Sequence, residues 1–108
     1  MFRKNYAIAL YEKVQAEYDY FIIEIKSKSA DEIIESAYQI VIKDEITVFC
    51  RDCSPKLTDR QFEALLSSKN ALYEIFEQWC KNGELHGLAD IDIAIEEAAD
   101  RILVSLGQ

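Results

Sequence analysis

Chain-breaking residues are scarce in this 108-residue chain, which has one proline and three glycines. That scarcity excludes a turn-rich β fold and points to long helices joined by short connections. Three scattered glycines also cannot build a phosphate-cradling loop. Histidine occurs once, at His86, and Gly83 stands three residues before it, so the Glu-x-x-His pair of di-metal helical bundles is missing. No apolar run approaches the length of a membrane span. The opening Met-Phe-Arg-Lys-Asn-Tyr carries two bases, but Glu12 and Lys13 interrupt the apolar stretch behind it before a secretory core develops. Cysteine occurs three times, an odd count that suits reduced thiols better than a disulfide framework. The expectation is a cytoplasmic protein, a single helical domain over 1–108, with no membrane attachment.

Bases are scarce in one region above all. Residues 1–69 hold 12 acids and 10 bases, whereas residues 70–108 hold 8 acids and 2 bases, so −6 of the net −8 lies on the last third. With so few Lys and Arg to displace counterions, direct nucleic-acid binding is disfavoured. A protein partner with a basic surface is the natural complement. What the chain does have is apolar side chains: half of its residues are apolar. A chain this long buries roughly two-thirds of its unfolded surface, enough for a core without disulfides.

Periodicity assigns the elements. Ala7, Tyr11, Val14, Tyr18, Phe21 and Ile25 fall on one helical stripe, widened by Leu10 and Ile22, which predicts a helix from about 3 to 27. Ser29-Ala-Asp-Glu32 reads as a capping box opening a helix from about 30 to 50, with Ile33, Ile34, Ala37, Ile40, Val41 and Val48 as its inward residues. Thr58-Asp-Arg-Gln61 is a second capping box, before a short helix carrying Phe62, Leu65 and Leu66. Asn70 caps a fourth helix with Leu72, Ile75, Phe76 and Trp79 inward, and Asn82-Gly83 supplies a left-handed stop. Leu88, Ile91, Ile95, Ala98 and Ile102 mark the last. The fold class expected is all-α, a compact bundle of about five helices.

Three constellations could carry chemistry or recognition. Cys50 and Cys53 form a Cys-x-x-Cys pair, and with Cys80 and His86 they complete a tetrahedral zinc set if helices two and four end on the same side. The Cys80–His86 spacing lacks the tight knuckle of specific zinc motifs, and Cys50 and Cys80 suit small hydrophobes. No cofactor is therefore expected, with a zinc-stapled domain as the alternative. A thioredoxin-type role fails because the pair lies at a helix C-terminus, where the dipole opposes a thiolate. Cys80 and His86 five residues apart are not a recognised catalytic dyad, and no enzymatic activity is expected.

The second constellation is acidic. Asp92, Glu96 and Asp100, with Glu97 beside them, form a ladder opposite the apolar stripe of the last helix. Its plain reading is a solubilising face, and its functional one a run of carboxylates that occupies a basic groove. The third is aromatic. Tyr6 and Tyr20 lie off the core stripe of the first helix, where tyrosines make good interface anchors. The near-heptad stripe of that helix equally suits a homodimer.

Leu-Tyr-Glu-Lys-Val-Gln-Ala-Glu-Tyr-Asp-Tyr-Phe at 10–21 and the 30–46 segment, with its capped Glu-Ile-Ile, Ala-Tyr pair and Lys-Asp-Glu-Ile run, resemble a family of small bacterial proteins of unknown function. Leu-Thr-Asp-Arg-Gln-Phe-Glu-Ala-Leu-Leu looks like that family's third segment, so the resemblance covers roughly 8–103. It implies a helical fold and a setting in gut-type bacteria and their mobile elements, with no catalytic motif. By analogy of setting, such proteins include acidic inhibitors of host defence such as anti-CRISPR proteins. The expectation is a non-enzymatic interaction module that acts on a basic partner.

Overall fold

The computed structural model describes residues 2–53, 55–82 and 91–107, with side chains from Tyr6 onward. Among the described residues six helices follow one another: α1 (Phe2–Lys26), α2 (Ala30–Glu35), α3 (Ala37–Asp52), α4 (Asp59–Ser67), α5 (Ala71–Lys81) and α6 (Ile91–Ser105). No strand occurs among the described residues. The fold is all-α, with one helix more than the sequence suggested.

The extra element comes from a break at Ser36. Its N–H is shared between the carbonyls of Glu32 and Ile33, and its ψ of −1° tightens the chain away from α-helical geometry. Serine favours such local bonding over a helix interior, and α2 buries no side chain that would hold the helix straight. The predicted starts are otherwise in place. Ser29 with Glu32 and Thr58 with Gln61 both form complete capping boxes, and Asn70 accepts from the Tyr73 amide. Asn82, expected to help form a left-handed stop, is right-handed at φ −75°; Gly83, like Leu88, lies outside the described residues.

α1 packs on α3, α4 and α5, and α6 closes the other side against α4 and α5. The core is built from Leu10 and Val14 of α1, Ile42, Ile46 and Cys50 of α3, Phe62 and Leu65 of α4, Leu72, Ile75 and Trp79 of α5, and Ile91, Ala94, Ile95, Ala98 and Ala99 of α6. The Cα radius of gyration is 13.8 Å, against about 13 Å expected for a compact chain of this length. Ala7, Leu10, Tyr11, Val14 and Tyr18 of the α1 stripe pack into this core.

Two expected orientations are overturned. α3 turns Ile42, Lys43, Ile46, Thr47 and Cys50 inward, whereas Ile34, Ala37 and Val41 face solvent and Ile33, Ile40 and Val48 are half-buried. Apolar residues at 40, 41 and 42 occupy three sides of the helix, so hydrophobicity alone could not choose the face. Tyr6 is the other case. Its ring stacks on Phe62 at 5.8 Å and its hydroxyl donates to Glu63 at 2.6 Å, so it is a packing residue of the α1–α4 contact.

Candidate functional site

The cysteines are separated by environment. Cys50 is buried in the core on α3, and burial, helped by Cys53, pushes its thiol up to about 12, so Sγ keeps its proton at neutral pH. Cys53 is the exposed C-cap residue of α3, and Cys80 is exposed on α5 rather than lying against the core. None of the three is in a disulfide. His86 lies outside the described residues, and among those described no group of three His, Cys, Asp or Glu side chains converges as a metal site. What the fold does bring to Cys53 is the start of α6. Cys53, Lys56, Asp92 and Glu96 line one cleft of about 270 Å³ together with Phe49 and Ile93.

The acidic ladder of α6 is exposed, and most of it is tied down. Asp100 accepts from Gln61 Nε2 at 2.9 Å, Glu97 accepts from Asn82 Nδ2 at 2.7 Å, and Asp92 accepts from the Ile93 amide at 2.8 Å. Gln61 reaches Asp100 while its carbonyl oxygen caps Thr58, so one side chain joins the start of α4 to α6.

A site that sequence reasoning missed lies between α1, α3 and the start of α5. Lys43 is 5% exposed. Its Nζ stands 3.8 Å from the Phe21 ring centroid, with Phe76 at 5.6 Å and Tyr73 at 6.0 Å. No ion pair to Lys43 occurs among the described residues. The obvious partner is engaged elsewhere. Glu17 accepts from the amides of Ala71 and Leu72 at 3.1 and 2.8 Å and pairs with Lys13 at 3.1 Å, which caps the start of α5. Burial lowers the Lys43 pKa below the ordinary lysine range, and Glu24 and Glu17 pull it part of the way back. Lys43, Glu17 and Glu24 border a cleft of about 280 Å³ with Tyr20, Asn70 and Tyr73. The available signal was positional. Lys43 shares the i, i+3, i+4, i+7 register of Ile46, Thr47 and Cys50, so a cation on that face had to be buried.

The model of a family described as Protein of unknown function (DUF3848) matches residues 5–103. The chain belongs to this family. No curated protein and no solved structure matches it. The DUF3848 match runs from the first turn of α1 to near the end of α6, so the Lys43 cleft and the acids of α6 both lie within the family's own extent.

One more surface of this DUF3848 chain stands out. Ile34, Tyr38 and Val41 are 70%, 47% and 55% exposed, at i, i+4 and i+7 across the Ser36 break. Asp31 and Glu35 precede Ile34 and Tyr38 by three residues, and Asp44 and Glu45 follow Val41 by three and four. Between residues 29 and 50 there are five acids and a single base, the buried Lys43. Tyr38 also leans on Trp79 at 5.8 Å, which connects the outward face to the core. No described helix is long and apolar enough to cross a membrane.

Proposed function

We propose that this DUF3848 chain is a non-enzymatic protein-interaction module whose α2–α3 face takes a basic amphipathic helix. The carrying observation is the outward row Ile34, Tyr38 and Val41 at helical spacing, flanked along the chain by Asp31, Glu35, Asp44 and Glu45. Apolar anchors of that spacing are what a helix laid across a surface reads, and the acidic border selects a partner rich in Lys and Arg. The α6 acids Asp92, Glu96, Glu97 and Asp100 extend the negative field and act by steering the encounter rather than as the docking face. Three of these carboxylates already accept hydrogen bonds inside the domain, and burying them under a partner would gain less than covering exposed Ile34 and Val41.

Trp79, the sole tryptophan, lies under Tyr38 and reports on this face. Titration with a model amphipathic helix of leucine and lysine should change the Trp79 emission saturably. Ile34→Glu should weaken that binding about tenfold or more, and a leucine–glutamate helix should leave the emission unchanged. Equal responses to the two peptides, or full affinity in Ile34→Glu, would overturn the proposal.

A further inference from the structure

We propose that the Lys43 cleft is a binding site for a small zwitterion of the α-amino acid class, with its carboxylate on Lys43 and its ammonium toward Glu24. The inference is independent of the α2–α3 docking face and begins from an incomplete set of contacts. A lysine ammonium has three N–H donors. Phe21 offers Lys43 a π face at 3.8 Å, and none of the hydrogen bonds or ion pairs among the described residues ends on Nζ. Cations this deeply buried are ordinarily paired, since desolvation without a counter-charge is costly. Glu17 cannot swing across without uncapping the amides of Ala71 and Leu72. Trp79 Nε1 is the one buried polar side-chain atom without a partner among the described residues. Lys43 Nζ therefore opens on the cleft it borders, where its acceptor is water or a ligand that displaces it.

The other walls choose between acceptors. Glu17 and Glu24 both border the cleft, so a phosphate or a dicarboxylate meets two like charges beside its one cation. A zwitterion satisfies both signs: its carboxylate meets Lys43 while its ammonium faces Glu24, whose carboxylate takes part in no hydrogen bond or ion pair among the described residues. Size points the same way. At about 280 Å³ the cleft lies below the range of about 300–1,000 Å³ that holds drug-sized ligands, which suits a single amino acid. Tyr20 and Tyr73 provide aromatic contact for the side chain.

Calorimetric titration of the full chain with each of the twenty free amino acids tests this. At least one should bind with a Kd below about 10 mM. Its amide, which lacks the anion, and its deaminated acid, which lacks the cation, should each bind at least about tenfold more weakly. Lys43→Met should abolish binding while its circular dichroism stays that of the parent. The exposed Glu24→Gln, which perturbs no core contact, should weaken it about tenfold. The proposal is overturned if none of the twenty binds, if binding survives Lys43→Met, or if the deaminated acid binds as tightly as the amino acid.

Discussion

At the scale of single residues, burial and charge are at odds at two positions of α3. Lys43 keeps a cation in the core beside aromatic rings, and Cys50 keeps a thiol there that cannot readily ionise. For Lys43 the folded-state pKa lies below the unfolded value of about 10.4. The unfolded chain therefore binds more protons between those two values, and the Lys43 contribution to stability rises with pH across that window. Lys43→Met, which removes the buried charge and keeps the stem, is expected to be at least as stable as the parent near neutral pH. Its advantage should shrink as pH climbs toward about 10.4 in urea titrations compared at each pH. The cysteines make a separate prediction. Cys53 and Cys80 are exposed and Cys50 is not, so a thiol-reactive disulfide reagent should modify two thiols quickly in the native protein and the third only on unfolding. Three equally fast thiols would contradict the placement of Cys50.

At the scale of the helices, the capping boxes differ in what depends on them. α4 carries the buried Gln61, Phe62, Ala64 and Leu65, so fraying its start exposes core, whereas α2 buries nothing. Thr58→Ala should cost about 1 kcal/mol of global stability, while Ser29→Ala should cost less than about 0.5 kcal/mol; urea unfolding of the two variants checks the contrast. The same helices show why the chain was only partly legible. Caps at Ser29, Thr58 and Asn70 are local hydrogen-bond chemistry, written in three or four adjacent residues, and they are where the sequence put them. The stripes of α5 and α6 were also readable, because each gathers its apolar residues on one side. The spacing of α1 picked out the buried Leu10 and Val14, although Ile8 and Ile23 lie exposed on the same helix. α3 was not. Its truly inward side includes Lys43 and Thr47, the latter satisfied by donating its hydroxyl to the Lys43 carbonyl at 2.8 Å, and its outward side includes Val41. A hydrophobicity count prefers the wrong face there. The Lys43 cleft stayed hidden for the same reason, and because Glu17 meets residues 71 and 72 only through the tertiary fold.

At the scale of the whole molecule, negative charge and exposed apolar surface occur together on one face. A second copy docked through that face in a two-fold dimer would set Asp31, Glu35, Asp44 and Glu45 against their own equivalents. Like charges so placed oppose association, so sedimentation equilibrium should return a monomer at micromolar concentration and physiological salt. A concentration-dependent dimer abolished by Ile34→Glu would instead assign the face to self-association.

The α2–α3 face and the α6 ladder lie on different helices and are both acidic, so salt dependence alone does not separate them. Backbone amide chemical shifts of the nitrogen-15-labelled chain, followed during titration with the basic amphipathic helix, do. The account predicts that the largest perturbations fall at residues 34, 38 and 41, with Trp79 indole moving through its contact with Tyr38. Perturbations concentrated instead at Asp92, Glu96 and Asp100, or absent altogether, would contradict it.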